Sequence, residues 1–337
     1  MRRLFWKRLR EDRGALLAAG AVAFILFALF AGPPIAEAGL GHGPNDLFPY
    51  AVNGNLKPVG PWTKVPDVHV ARADPTTDVT LPAEAGTPST LLVFGADGGL
   101  GRDEFLRLLV GGRNSLTVAL LATMLSMTLG LLIGGIAGYF GGWVDGGVSR
   151  LTEFVMAFPL LLFVIMIGST AADRIDDVTV GGFLDRGMLS LVLIIGLFTW
   201  FYPARIVRAR ILTLKESEFV DAAETAGAGD WWIMHKHLFP HLAGPLVAVA
   251  SIALATNILL EAGITFLGVG IKIPATSWGT MLVATWGSPI SPGSFNPQLT
   301  SVWVTIFPSV AILITVLAFN YFGEGVRAAL DPAGARA

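Results

Sequence analysis

Cysteine is absent from the 337 residues of this chain, and charged residues make up only 14% of it. Without cysteine the chain forms no disulfide, has no thiolate metal ligand and has no cysteine nucleophile. No lysine follows a glycine, so the glycine-rich phosphate loop with its G-K-[ST] ending is missing as well. The net charge of -2 gives no basic field that would indicate a nucleic acid as a partner.

Long apolar segments take the place of the missing charges, because hydrophobic residues make up 53% of the chain and its mean hydropathy is +0.64. Residues 1–13 hold six Arg and Lys residues and lead into an apolar run from Ala15 to Gly32. Five further apolar segments lie at 114–138, 148–170, 188–210, 244–268 and 300–322. Each is close to the roughly 20 residues that cross the hydrocarbon layer of a bilayer, so the sequence predicts an all-α integral membrane protein with about six transmembrane helices.

The distribution of positive charge predicts how the chain lies in the membrane. The segments that would face the cytoplasm hold 14 of the 23 Arg and Lys residues, which places both termini in the cytoplasm. A signal peptide is the competing interpretation of the first apolar run, because Ala36-Glu37-Ala38 resembles a cleavage site. The run is longer than the usual apolar region of about 7–15 residues, so an uncleaved helix is favoured.

The predicted organisation has a cytoplasmic tail, a first helix, an extracytoplasmic segment, a core with five transmembrane helices and a second cytoplasmic tail. Their bounds are 1–14, 15–36, 37–112, 113–326 and 327–337, with a large cytoplasmic loop of the core at 211–243. Ten of the 20 prolines fall between Pro33 and Pro88. Proline lacks the backbone N–H that a helix needs, so this proline-rich segment is predicted to be non-helical, with short strands around Val65–Val70 and Thr90–Phe94.

The loop between the fourth and fifth predicted transmembrane helices is the most informative stretch of the sequence. It is polar and reads EFVDAAETAGAGDWWIMHKHLFPH from Glu218 to His241. Good helix formers begin it, and Gly227 then interrupts them. Asp230 is a predicted N-cap for a second short helix that ends before Pro240. The pattern predicts two short helices that meet at an angle and face the cytoplasm.

This loop resembles the coupling motif of ABC importer permeases, in which E-A-A, three residues, G, nine residues and I-x-L-P follow one another. Asp221-Ala222-Ala223 corresponds to E-A-A, Gly227 to the glycine and Phe239-Pro240 to L-P. The chain departs from the pattern by Asp at 221, His at 237 and Phe at 239.

Further segments are similar to the dipeptide/oligopeptide/nickel permease family and, within it, to the C-type subunit. They follow the order of that family and cover most of residues 95–332. They are Gly101-Arg102-Asp103 with Phe105-Leu106-Arg107-Leu108-Leu109, AGYFGGWVD at 137–145, AFPLLL at 157–162, LLEAGITFLGVG at 259–270, PATSWGTML at 274–282 and FPSVAILITVLAFNYFGEGVRAALDP at 307–332.

The resemblance implies the permease fold of a type I ABC importer in the cytoplasmic (inner) membrane. It implies a second homologous permease, two cytoplasmic ATPases and an extracytoplasmic solute-binding protein as partners, with peptides or a related small solute as cargo. No catalysis and no cofactor are implied for this chain, because the partner ATPases hydrolyse ATP. The residues implied to contact an ATPase are Glu218, Asp221, Ala222, Ala223, Gly227 and Pro240.

Glu261 lies inside an otherwise apolar segment. A carboxylate there costs about 2–3 kcal/mol or more unless it is paired or hydrated, so Glu261 is a candidate contact of the translocation path. Hydration near the outer end of its helix is the alternative. Arg205, Arg208 and Arg210 are predicted to anchor the inner end of the fourth helix, with ATPase contact as the alternative.

Glycine and tryptophan also have predicted structural roles in the spans. The glycines at 130, 134, 135 and 138 are predicted to permit close helix packing. Trp143, Trp278 and Trp286 are predicted to lie at the membrane interface. His235, His237 and His241 lack a nearby Asp, Glu or Cys that would complete a tetrahedral metal site, so they indicate no bound metal.

Two other classes of protein compete with the importer interpretation. An intramembrane enzyme would need a nucleophile with a base at membrane depth, and all five histidines fall outside the predicted spans. A secondary transporter or channel remains the alternative, because an ion gradient could replace an ATPase as the source of energy. Such carriers usually contain internal repeats, and no repeat is evident in this sequence.

Overall fold

The computed structural model describes residues 12–53, 57–67, 88–162, 164–166, 187–272, 275–286 and 301–330. Within these ranges, five helical stretches are long and apolar enough to cross a membrane: Arg13–Phe30, Glu104–Phe140, Met188–Lys215, Asp230–Phe266 and Val302–Leu330. Gly142–Ala157 and Leu160–Met166, which meet at 82°, form a sixth if the bent pair is one span. The prediction of an all-α membrane protein with about six spans is confirmed.

The following α-helices are numbered in chain order. They are α1 (Arg13–Phe30), α2 (Gly32–Leu40), α3 (Glu104–Phe140), α4 (Gly142–Ala157), α5 (Met188–Thr199), α6 (Phe201–Lys215), α7 (Glu218–Thr225), α8 (Asp230–Ile233), α9 (Phe239–Phe266), α10 (Trp278–Trp286) and α11 (Val302–Leu330). A π-helical segment, Met234–Leu238, joins α8 to α9. The strands are β1 (Thr63–Pro66), β2 (Ser89–Leu92), β3 (Ala96–Asp97) and β4 (Arg102–Asp103).

Helix α3 is the central element, because it packs against α5, α6 and α9. Its 37 residues extend about 55 Å at a rise of 1.5 Å per residue, which is longer than the hydrocarbon layer of about 30 Å. The helix is therefore long enough to extend beyond the apolar part of the membrane.

The glycines of α3 bring its backbone against α6. A Cβ atom added to Gly134 would lie 2.9 Å from Ala204 Cα, and one added to Gly138 would lie 2.9 Å from Ile211 Cβ. Gly130 meets Pro203 in the same way. The prediction that these glycines permit close helix packing is confirmed.

The segment between α1 and α3 has the predicted strands but also a helix that was not predicted. Strands β1 and β2 pair antiparallel with Val65 opposite Thr90, and residues 68–70 of the predicted first strand lie outside the described residues. The prediction of no helix after Pro33 is wrong, because α2 runs from Gly32 to Leu40. Its prolines occupy the first helical turn, where the missing N–H has no intrahelical acceptor to lose.

The contact between α3 and α6 yields a stability prediction. Gly134→Ala would press a methyl group into the backbone of Ala204, and overpacking of this kind costs about 1–3 kcal/mol. We expect a lower midpoint of thermal unfolding in detergent. The matched control is Gly146→Ala in α4, where an added Cβ would have no neighbour within 4 Å. Equal midpoints for both variants would contradict the close α3–α6 contact.

Candidate functional site

The predicted coupling loop forms an elbow that begins with the short helix α7. Gly227 has a φ of +80° and reverses the chain at the end of this helix. Its N–H donates to Glu224 O at 2.9 Å, and the N–H of Ala228 donates to Ala223 O at 3.0 Å. A side chain at 227 would be strained at this φ, which explains the glycine of the motif physically.

The second half of the elbow differs from the prediction in two ways. The N-cap of α8 is Gly229, so the prediction for Asp230 is wrong. The carboxylate of Asp230 instead accepts a hydrogen bond of 2.9 Å from the hydroxyl of Tyr139 at the end of α3. The predicted separate second helix is also wrong, because α8 continues through the π-helical segment into α9 as one stretch, Asp230–Phe266. A displacement of the elbow is thereby a displacement of a spanning helix.

A buried apolar cluster lies beneath the elbow and attaches it to three spanning helices. It consists of Tyr139, Val207, Ile211, Val220, Ile233, Met234, Leu238 and Leu242. The Lys215 ammonium adds a hydrogen bond of 2.7 Å to the backbone carbonyl of Tyr139. Because α3, α6 and α9 all contribute to this cluster, the position of α7 is tied to all three helices.

The opposite surface of the elbow is open to a partner. Ala222, Ala223 and Gly227 line an open groove of about 640 Å³, together with Trp232 and His237. The predicted contact residues at 218 and 221 are exposed on the same short helix, whereas the one at 240 is exposed in the first turn of α9 and does not line the groove.

Two tryptophans of the elbow are candidate contacts that sequence reasoning missed. Trp231 is 63% exposed and Trp232 is 50% exposed. Tryptophan is enriched in protein interfaces, where its large side chain contributes strongly to binding. Two adjacent tryptophans in an otherwise polar loop were the available signal.

The structure places Glu261 in the interior of the chain, where three elements meet. The residue is 0% exposed, and the Thr265 hydroxyl donates to its Oε1 at 3.0 Å. The hydroxyls of Ser115 on α3 and Ser277 before α10 lie near this carboxylate. The Ser115 hydroxyl in turn accepts a hydrogen bond of 3.1 Å from the backbone N–H of Trp278. These contacts favour a structural role, and contact with the translocation path stays a prediction.

The segment before α10 is packed tightly against α3. The prediction of an interfacial Trp278 is wrong, because this side chain is 2% exposed and its Nε1 donates to Leu108 O at 3.1 Å. Asn114 adds a hydrogen bond of 2.8 Å to Thr276 O. Trp143 is 88% exposed, as an interfacial residue would be, and the side chain of Trp286 lies outside the described residues.

A buried ion cluster at the other end of α3 is a second site that the sequence analysis missed. The Asp97 carboxylate lies 2.7 Å from the Arg102 guanidinium and 2.6 Å from that of Arg107. Arg107 also donates to Asn45 Oδ1 at 3.0 Å. The cluster joins strands β3 and β4, the first turns of α3 and the loop after α2.

The pKa values of Asp97, within the cluster, and of Asp103, beside it, are shifted in opposite directions. Burial tends to raise the pKa of Asp97, but Arg107 and Arg102 outweigh it and hold this pKa below the ordinary value. Its stabilising effect is therefore complete at neutral pH and is lost only as the pH falls through the lowered pKa. Burial raises the pKa of Asp103, which caps α3 by accepting from the N–H of Phe105 at 2.8 Å.

Comparison with known proteins identifies a family. Residues 130–335 match the model of a family described as "Binding-protein-dependent transport system inner membrane component". A putative peptide permease protein of Brucella ovis is 37% identical over 76% of this chain and 78% of that protein. The oligopeptide transport system permease protein OppC of Escherichia coli K12 is 37% identical over 71% of this chain and 72% of that protein.

Two further matches extend the comparison. The glutathione transport system permease protein GsiD of Pectobacterium atrosepticum is 35% identical over 73% of this chain and 74% of that protein. A chain from the inward-facing MetNI methionine ABC transporter has a TM-score of 0.47 and 19% identity, over 66% of this chain and 96% of that one.

The chain belongs to the family of inner membrane components of binding-protein-dependent transport systems. It is a multi-pass membrane protein and the permease subunit of an ABC importer, as the sequence resemblance implied. Membership implies an ATPase and a binding protein as partners.

The ion cluster yields a second stability prediction. Asp97→Asn would leave two buried guanidinium groups without their shared carboxylate, and breaking a buried ion pair in this way costs about 3–5 kcal/mol. We expect a clearly lower midpoint of thermal unfolding. Asp221→Asn, at an exposed carboxylate, is the control and should leave the midpoint unchanged. A midpoint for Asp97→Asn close to that of the control would refute the structural role of the cluster.

The hydrogen bond between α3 and the elbow yields a prediction about local opening. Tyr139→Phe removes the bond to Asp230, which contributes about 1 kcal/mol and so should speed amide hydrogen exchange at 218–238 about fivefold. The control is Tyr202→Phe, because Tyr202 is 53% exposed on α6. Unchanged exchange in Tyr139→Phe would mean that the bond does not hold the elbow.

Proposed function

We propose that the chain conducts peptides, or closely related small solutes, across the inner membrane. Its relatives named for peptide, oligopeptide and glutathione transport support this choice, since glutathione is itself a tripeptide. A second homologous permease completes the path, and an extracytoplasmic solute-binding protein delivers the cargo. Two cytoplasmic ATPases supply the energy, because this chain has no phosphate loop of its own.

The elbow is the proposed docking site of an ATPase. Glu218, Asp221, Ala222, Ala223 and Gly227 would contact the partner through the groove and its exposed rim. Pro240, in the first turn of α9, would lie at the edge of this contact. The observation that carries the proposal is the continuity of the elbow with the stretch Asp230–Phe266, since a bound ATPase could then move a spanning helix directly.

The orientation of the chain follows from the same proposal. An elbow that binds an ATPase must face the cytoplasm, and Tyr139 places it at the carboxyl end of α3. The ion cluster at the amino end of α3 then lies outside, in the segment predicted to be extracytoplasmic. This arrangement agrees with cytoplasmic termini and with the basic residues that precede α1.

Transport in this proposal requires no chemical step in the chain. ATP binding closes the ATPase pair, and closure changes which permease conformation the partner binds more tightly. The difference in binding free energy shifts the permease between inward-facing and outward-facing states. The role of this chain is to link the docked elbow to α3, α6 and α9.

The docking proposal is tested by one glycine variant in the groove and one outside it. Gly227→Val would strain the reversal of the chain at a φ of +80°, so we expect loss of the ATPases and of ATP-driven uptake after affinity purification from membranes. Gly146→Val in α4 is the control, because an added Cβ there would have no neighbour within 4 Å and the residue does not line the groove. Mass spectrometry of the retained proteins gives the result.

The outcomes separate the importer from its alternative. Retention of a second permease and ATPases by Gly146→Val but not by Gly227→Val would support docking at the elbow. Equal retention by both variants would place docking elsewhere. A wild-type chain that is purified alone and is active in vesicles without ATP would instead indicate a secondary transporter.

A further inference from the structure

A cavity of about 410 Å³ lies between α4 and α6, apart from the elbow and the ion cluster. Its walls are mainly apolar and include Val148, Met156 and Ala204. Three charged residues also line it, Glu153 from α4 and Arg205 and Arg208 from α6. This size is within the range of about 300–1,000 Å³ that is usual for small-molecule sites.

Glu153 and Arg205 are not paired with each other, whereas Arg208 is paired with a residue outside the cavity wall. Within the part of the chain that the structure describes, the one hydrogen bond of the Arg205 side chain goes to Met156 Sδ at 3.6 Å, and Glu153 has no ion pair. One turn along α6, Arg208 binds the Asp145 carboxylate of α4, with Nη2 at 2.6 Å from Oδ2. An α4–α6 ion pair is therefore accessible to these helices, yet Glu153 and Arg205 remain available for a ligand.

The location of Glu153 and Arg205 favours contact with a translocation path over anchoring at the membrane surface. Arg205 lies within the candidate span Met188–Lys215, and Glu153 lies within the bent pair that would form a sixth span. Ionisable groups inside membrane spans usually face a water-filled cavity or the bundle interior, and they mark substrate pathways.

We propose that the α4–α6 cavity is a subsite of the translocation path for a short peptide with free termini. Arg205 binds the terminal carboxylate through charge-assisted hydrogen bonds, and Glu153 faces the terminal ammonium. The apolar walls accept side chains with little selection among them. This inference rests on the proposed function, because it assumes a peptide importer.

The absence of cysteine gives a direct test. Ser149→Cys places the single thiol of this chain on the cavity wall, and Thr213→Cys on the exposed surface of α6 is the control. The importer complex in nanodiscs is treated with a maleimide in the presence of free dipeptides of alanine, leucine and phenylalanine. The same dipeptides with an acetylated amino end and an amidated carboxyl end serve as the comparison.

We expect the free dipeptides, but not the capped ones, to slow labelling at position 149 and to leave position 213 unaffected. Adding Arg205→Gln should raise the half-protecting concentration about tenfold, since one charge-assisted interaction is lost. Adding Glu153→Gln should have a similar effect through the ammonium.

Three results would overturn the subsite. These are equal protection by free and capped dipeptides, no protection by either, and protection that follows phosphatidylethanolamine content rather than peptide. The last would identify a zwitterionic lipid headgroup as the ligand. If the complex contains ATPases and takes up peptide with ATP while one of these results holds, the subsite fails and the proposed function stands. A complex that contains no ATPases would contradict the proposed function itself.

Discussion

The close contact between α3 and α6 is the constraint on which the rest of the structure depends. Gly134 and Gly138 allow the two backbones to touch, which small residues achieve in a membrane where lipid removes most of the hydrophobic gain from helix association. Because α3 is held there, its carboxyl end can position the elbow through Tyr139. Its amino end can position the proline-rich segment through the cluster at Asp97.

The sequence predicted the features that depend on local pattern and length. Apolar segments of about 20 residues indicate spans because the bilayer has a fixed thickness, and the turn at Gly227 follows from a conformation that glycine favours. The helix α2 could not be predicted from composition, since the effect of proline depends on where it falls in a turn. Local pattern favours Asp230 as a cap. Its actual partner, Tyr139, lies 91 positions away in the sequence, so no local pattern indicates that contact.

Contacts between distant segments account for the other differences. Tryptophan is typical of membrane interfaces, but the indole N–H of Trp278 donates to the carbonyl of Leu108 inside the protein. The Asp97 cluster joins residues from the loop after α2, strands β3 and β4, and the start of α3, and no local pattern specifies their meeting. Tertiary partners decide such positions, so a sequence alone can indicate that a charged or aromatic residue is unusual without indicating what it contacts.

Helix α3 and the continuous stretch Asp230–Phe266 have polar contacts at three levels, which bears on how an elbow could act at a distance. Tyr139 donates to Asp230 at the carboxyl end of α3, Asn257 donates to Thr123 at 2.9 Å in the middle, and Ser115 lies near Glu261 towards the amino end of α3. Bonds of this kind contribute on average about 0.6 kcal/mol each in a membrane, so none is decisive alone. Their spacing along both helices opposes sliding of one past the other. A displacement at α7 would then reach the segment before α10 as a movement of α3 and α9 together.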